Sequence, residues 1–411
     1  MRDGGVRERL VVVGNGMASL RFLERLTEGA PGRYEVACIG AEPVAAYNRV
    51  LLSSLLGGEV DEAACAFRDR DWYARHGIDL RTGVPATAID RERRELVLGD
   101  GARVPYDRLV LATGSLAIRL SLPGADLPGV VTFRDLADVA AIRLAAKANA
   151  RAVVIGGGLL GLEAASGLAR LGARTTLLHV MDRLMERQLD GPAAALVRDA
   201  FAQRGVDILL GANTAAVEGD GRAERVRLAD GRVIEADLVV MAVGVRANGD
   251  LARAAGLVVG RGVQVDDALA TSDPLIHALG ECAEHRGQTY GLVEPAYEQA
   301  DVLARRLAGG EGNEEAAYAG TNLVTSLKVS ELPVFSAGRI LEEPGDEAIV
   351  WSDPGAGFYR KLIVAGGRLA GAVFVGDVAE GPRVKALVRT GAPLGPSDRD
   401  DLMFGPLALA A

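Results

Sequence analysis

Apolar positions along this chain change rhythm in a repeating order. Leu10-Val-Val-Val13 is a continuous apolar run of strand length, and Leu20 to Leu26 follows with the three-to-four-residue spacing of an amphipathic helix. The succession returns in mid-chain, where Ala152-Val-Val-Ile155 precedes a helical stretch running through Leu162 to Leu171. Each copy is completed later by an apolar strand ending in a small-residue turn: Leu109 to Ser115 after the first, Leu238 to Gly244 after the second. The duplication therefore covers whole domains. Between these elements, Glu95 to Leu98 with Gly99-Asp100-Gly101 and Val104, and Val226 to Leu228 with Asp230-Gly231 and Val233, predict two small antiparallel meanders. From about Tyr318 onward helical periodicity fades. Ile349 to Trp351, Tyr359 to Val364 and Leu369 to Val375 read as short strands between Gly and Pro turns, closing on a helix near Pro382 to Arg389.

Composition narrows the chemistry. A chain of 411 residues exceeds the usual reach of one core, so two or three domains are expected. The net charge of −9 disfavours nucleic acid or an anionic membrane as partner. No stretch approaches the roughly 20 apolar residues of a membrane span. The charged start, Met1 to Leu10, is unlike a signal peptide, which makes a cytoplasmic location the expectation. Cys38, Cys65 and Cys282 form no C-x-x-C pair and are too few for an iron–sulfur cluster. Cys282 and His285 make a C-x-x-H, without further cysteines to complete a metal tetrahedron, and no metal is expected.

The two strand-to-helix turns carry the main functional signal. Gly14-Asn-Gly16-Met-Ala-Ser19 has the build of a dinucleotide turn: Gly14 permits the tight bend, Gly16 admits a pyrophosphate to the backbone, and the helix start offers free N–H groups. Ser19 stands where a third glycine is usual. The next strand ends at Gly40-Ala-Glu42, placing a carboxylate where a ribose would offer hydroxyls, or else an exposed loop acid. Gly156-Gly-Gly158-Leu159-Leu160-Gly161 holds all three glycines, strand before and helix after. The strand after it ends at His179, where an NAD-selective site would carry an acid, so NADH and NADPH both stay open. Asp182 and Arg183 follow closely enough to tip the choice either way.

In tandem, these turns resemble the two-dinucleotide-binding-domain flavoproteins, which include ferredoxin and rubredoxin reductases. A closer resemblance is to the flavin module of assimilatory nitrite reductase large subunits and nitrate reductase electron-transfer subunits. It rests on Gly14 to Met17, Ala46-Tyr-Asn-Arg-Val-Leu-Leu-Ser53, Gly156 to Ala165, Leu184-Met-Glu-Arg-Gln-Leu-Asp190, Gly280-Glu-Cys-Ala-Glu-His285 and Gly371 to Asp377. The resemblance implies an α/β fold with two Rossmann-like, glutathione reductase-like domains and a small C-terminal α+β domain. The expected boundaries are 1–117 with 247–317 for FAD, 118–246 for NAD(P)H, and 318–411 for the C-terminal domain.

By the same resemblance, Thr113 and Gly114 form an A-T-G turn, Arg119 lies near the flavin and Glu281 bonds its ribityl chain; Gly244, at the small-residue turn after the second copy, is a candidate for the second site. Asn48 and Arg49 lie near the isoalloxazine, where Arg49 would favour anionic flavin. Glu163 lies near the nicotinamide. The helix opening at Pro295-Ala-Tyr297 would aim its positive end at reduced flavin. Flavin carries the chemistry, so no side-chain nucleophile is needed.

The chain, ending at Ala411, then resembles a stand-alone reductase passing electrons to a ferredoxin, a Rieske-type protein, or a nitrite or nitrate reductase subunit. A ferredoxin or rubredoxin reductase of another pathway is the alternative. A thiol-dependent NADH oxidase or disulfide reductase would need a cysteine at the flavin, and Tyr47 to Ser54 has none. A non-catalytic sensing or scaffold subunit is a third reading. Arg360, Lys361, Arg368, Arg383, Lys385 and Arg389 give the C-terminal region a basic character to which an acidic carrier would dock. The oligomeric state stays open.

Overall fold

The computed structural model describes residues 7–310, 312–321, 324–329 and 332–405. Met1 to Val6 of the charged start, and the Ala411 end, lie outside these residues. The chain divides into two compact units: Met1–Leu52, Val60–Ala117 and Val245–Thr321 form the first, and Ser53–Glu59, Ile118–Gly244 and Asn322–Ala411 the second.

In the first unit, strand β1 (Glu8–Val13) leads into helix α1 (Met17–Gly29), which crosses to strand β2 (Tyr34–Gly40). In the second, β3 (Arg151–Ile155), α2 (Leu159–Arg170) and β4 (Arg174–Leu178) repeat the succession. β1 lies between β2 and the Arg108–Leu111 strand, with Ile78–Thr82 and Ile276–Ala278 at the two edges, all parallel. β3 lies between β4 and Leu238–Met241, with Val206–Leu209 and Val130–Thr132 at the edges, again all parallel. Parallel sheets are covered on both faces, which is why their inner strands are apolar throughout rather than alternating: Leu10 to Val13 and Ala152 to Ile155 are all buried. Helix α1 buries Leu20, Phe22, Leu23 and Leu26. Its neighbour is the Val293–Ala308 helix.

Both predicted meanders are present, as Ala86–Asp90, Glu95–Leu98 and Arg103–Pro105, and as Thr214–Glu218, Arg225–Leu228 and Val233–Glu235. The C-terminal region is a five-stranded antiparallel sheet in the order Val324–Val329, Leu332–Gly338, Arg368–Val375, β5 (Phe358–Ala365), Glu347–Asp353. The predicted helix spans Gly381–Thr390. A second helix, α4 (Asp398–Phe404), follows it and was not expected, because its three acidic residues hide a short buried stripe of Leu402 and Met403. Acids in a first helical turn favour the positive dipole end.

Part of the expected basic docking face needs correcting. Arg360 and Lys361 are 2% and 4% exposed. Arg360 pairs with Asp377 at 2.8 Å and donates to the carbonyls of Leu402 and Met403, so it closes the C-terminal end of α4. Lys361 Nζ lies 3.1 Å from Asp190 and 3.0 Å from Glu342. Asp190 also accepts from Tyr359 Oη at 2.7 Å and caps helix α3 (Gly191–Gln203) through Ala193 N–H. Arg383 is taken up by Asp398 and Asp401. Arg360, Lys361 and Arg383 hold the sheet and its helices, whereas Arg368 and Arg389 are exposed.

Candidate functional site

The two glycine turns are built from the same hydrogen bonds. Gly14 N–H donates to Ile39 O and Ala112 N–H to Val13 O, each at 2.8 Å; Gly156 N–H donates to Leu178 O and Ala242 N–H to Ile155 O, each at 2.8 Å. Both first glycines adopt positive φ, +105° at Gly14 and +121° at Gly156. A Cβ on Gly14 would lie 2.1 Å from Ala112 O, and one on Gly156 would lie 2.3 Å from Ala242 O. No other residue fits. The middle glycines differ in kind: a Cβ on Gly16 or Gly158 would meet nothing within 4 Å. That open space lies beside the first turn of α1 and of α2; neither has an acid in that turn, and neither N-cap residue has a side chain bonded to the helix's own N–H groups. Free N–H groups, a positive dipole end and room for close approach are what a pyrophosphate requires, so both turns fit a dinucleotide.

The third positions diverge. Gly161 packs so closely that a Cβ would lie 1.9 Å from Gly156 O. Ser19 is fully buried, and its hydroxyl accepts from Gly16 N–H and donates to Gly16 O, both at 2.9 Å. The serine therefore closes the turn that glycine packing closes in the second copy. Leu159 and Leu160, half-buried, form the first residues of α2.

Around the first turn, Tyr47 Oη donates to Glu42 at 2.8 Å, and Arg49 pairs with Glu42 and donates to Tyr47 Oη. Glu42 and Arg49 were expected at opposite ends of a flavin dinucleotide. An ion pair joins them in this arrangement. Asn48 caps the Arg49–Leu51 turn through Val50 N–H, and its own N–H donates to Cys65 O at 2.7 Å. Cys65, distant in sequence, thus lies against the loop, but its thiol is buried and directed at Asp61 O.

The A-T-G turn is stitched to a residue the sequence did not single out: Thr113 Oγ1 donates to Asn248 O at 2.6 Å, and Asn248 N–H donates to Gly114 O. Ser115 donates to Glu281 at 2.7 Å, bringing together the two motifs of the first unit. Gly280, at φ +80°, lies against Ala18 and donates to Gln299. The long helix opens at Val293, two residues before Pro295, and carries Glu294 in its first turn; Tyr297 sits a turn further in, with Arg21 over its ring. Arg119 belongs to the second unit and donates to Ala125 O.

In the second turn, His179 is 7% exposed. Its Nδ1 accepts from Gly157 N–H at 3.0 Å, and its Nε2 donates to Glu186 at 3.1 Å. A Cβ on Gly157 would lie 2.5 Å from the ring, which explains a glycine that the fingerprint does not demand. Gly244, at φ +114°, accepts from Ile118 N–H. Glu163, half-buried on α2, is pushed up to about 7 by burial. Neither Gly157 nor Glu186 was among the expected site residues.

The thiols are not poised for chemistry. Burial pushes Cys38 up to about 12 and also raises Cys65 and Cys282. Cys282 Sγ donates to Leu111 O and Leu279 O, while His285 Nε2 bonds Asp267, so the C-x-x-H residues face different partners. No helix among the described residues is long and apolar enough to cross a membrane.

Comparison with known proteins agrees with this construction. Residues 8–300 match the family model described as pyridine nucleotide-disulphide oxidoreductase, and residues 324–392 match the rubredoxin NAD+ reductase C-terminal domain. The chain is 43% identical over 397 residues to nitrite reductase [NAD(P)H] of Bacillus subtilis (strain 168), covering 97% of this chain and 49% of that protein. It is 40% identical over 378 residues to the assimilatory nitrate reductase electron transfer subunit of the same organism, covering 92% and 49%. The chain thus spans about half the length of these two relatives. Among solved structures, the covalent putidaredoxin reductase–putidaredoxin complex matches with a TM-score of 0.86 at 28% identity, covering 97% of this chain and 99% of that one. This chain belongs to the pyridine nucleotide-disulphide oxidoreductase family, and it is an oxidoreductase module that binds FAD and NAD(P)H.

Proposed function

We propose that this protein takes electrons from NAD(P)H through FAD to a separate acceptor protein in cytoplasmic nitrite or nitrate assimilation. The observation that carries this reading is the pair of identically bonded glycine turns in a chain whose cysteines are all buried and unpaired. Bound FAD would supply the chemistry, accepting a hydride and releasing electrons singly. The names of the two relatives, a nitrite reductase and a nitrate reductase electron transfer subunit, favour the pathway.

In this reading the segments 1–117 and 247–317 hold FAD. The Gly14–Ser19 turn takes its pyrophosphate, and Glu42 with Arg49 takes the adenosine end. Thr113, Gly114 and Glu281 line the ribityl chain, and the start of the Val293–Ala308 helix, near Tyr297, lies toward the isoalloxazine. Asn48 shapes the loop that carries Arg49, and Arg119 lies near the flavin. The 118–246 segment holds NAD(P)H through Gly156 to Gly161, His179 and Gly244, with Glu163 near the nicotinamide. The 318–411 segment contributes to acceptor docking.

The test is direct. Purified protein should be yellow, and NADH or NADPH should bleach it anaerobically. The reduced protein should then pass electrons to a ferredoxin, a Rieske-type protein or a nitrite or nitrate reductase partner without added thiol. A colourless preparation that refuses FAD, or one that reduces only disulfides, would overturn the proposal. A second reading, a ferredoxin or rubredoxin reductase of another pathway, is favoured by the match to putidaredoxin reductase bound to putidaredoxin. Faster turnover with a ferredoxin or rubredoxin than with a nitrite reductase partner would select it.

A further inference from the structure

We propose that Glu186, held in place by His179, is the carboxylate that reads the adenosine ribose and makes this protein prefer NADH over NADPH. The inference rests on the assignment of NAD(P)H to the second glycine turn. In a strand–turn–helix dinucleotide site, an acid at the end of the second strand bonds the ribose hydroxyls and repels a 2′-phosphate. Here that strand ends at His179, and the imidazole cannot take the role itself. Its Nδ1 must stay unprotonated to accept Gly157 N–H, and its Nε2–H is committed to Glu186.

The ring acts as a spacer. One face of the connection is the glycine turn, and the other is a carboxylate one imidazole away. A second tether fixes the loop: Met185 N–H donates to Gly157 O at 3.0 Å, so the residue just before Glu186 is bonded to the same glycine that His179 engages. Leu184 and Met185 are fully buried, which anchors the loop beneath. Glu186 itself keeps 26% of its side chain exposed, open to a ligand at the turn. The nearby acid Asp182 is 78% exposed and paired with Arg183. The Arg183 guanidinium is further engaged by the carbonyls of Leu189 and Glu186, which leaves it poorly placed for a 2′-phosphate. Arg187 is exposed and is the rival cation.

The experiment measures binding of ADP-ribose and 2′-phospho-ADP-ribose to FAD-loaded protein by calorimetry, alongside kcat and KM with NADH and NADPH. Wild type should favour ADP-ribose. Glu186→Gln should weaken ADP-ribose about 10-fold, the scale of one charge-assisted hydrogen bond, and leave the phosphorylated probe unchanged or tighter. The change in preference should appear in KM rather than kcat. His179→Asn, which frees the carboxylate from its spacer, should lower the preference in the same direction.

An unchanged probe ratio in folded, yellow Glu186→Gln would overturn the assignment, even where His179→Asn fails to fold. So would a wild type favouring the 2′-phosphate whose preference is lost in Arg187→Gln. A yellow wild type that binds neither probe would instead remove the nucleotide assignment itself, and this inference with it.

Discussion

Glu163 offers a prediction whose sign and size follow from its surroundings. The carboxyl sits half-buried on α2, and burial raises it from its ordinary 4.5 to about 7. Taken at face value, a shift of that size makes ionisation in the folded state harder by about 3 kcal/mol. The side chain keeps some solvent contact, and screening brings the expected effect to about 1–2 kcal/mol. Because the folded chain holds this proton more tightly than the unfolded chain, the stabilisation is complete below about pH 4.5 and is lost as pH rises through 7. Glu163→Gln keeps the shape without the charge. Urea denaturation of both proteins between pH 4 and 9, followed by far-ultraviolet circular dichroism, should give curves that converge near pH 4. By pH 8 the variant should be the more stable by about 1–2 kcal/mol. Stability differences independent of pH would refute the reasoning, since they would mean that the carboxyl ionises normally.

Three further outcomes are expected. Lys361→Met leaves Asp190 with one partner fewer in a buried site and should cost about 3 kcal/mol in urea unfolding, whereas the double variant Lys361→Met/Asp190→Asn should recover part of that loss. Gly156→Ala forces a Cβ against Ala242 O at positive φ, so NAD(P)H binding should fall at least about 10-fold while the FAD absorbance persists; Gly14→Ala should do the reverse and release FAD. Serine at all three of Cys38, Cys65 and Cys282 should leave electron transfer within about twofold of wild type in a steady-state assay, because buried thiols of raised pKa supply no nucleophile.

The architecture was legible because its signals are local. An apolar run, a glycine bend and a helical stripe lie consecutively in Leu10 to Leu26 and again in Ala152 to Leu171, and the structure makes each a β-turn-α unit. Contacts that close over long separations were not legible. The Glu42–Arg49 pair depends on how a loop folds back over seven residues, and Asn248 reaches the Thr113–Gly114 turn from 135 residues away. Two of the basic C-terminal residues misled for a related reason. On β5, Arg360 and Lys361 both look like surface cations, and burial beside Asp377 and Asp190 cannot be read from their own neighbours in sequence. Gly157 carried a usable signal: a third consecutive glycine, where the fingerprint needs none, marks a close approach by something bulky, and His179 is that group.

The single carboxylate of Asp190 has a practical bearing on fragment work. It begins one helix of the nucleotide-binding region and at the same time receives an ammonium and a phenol from the C-terminal sheet. A truncation ending before that sheet would strip two donors from an acid only 6% exposed and open the seam beside it to water. Residues 118–246 expressed alone should therefore be a poor stand-in for the nucleotide site, and a workable minimal fragment would carry the sheet along.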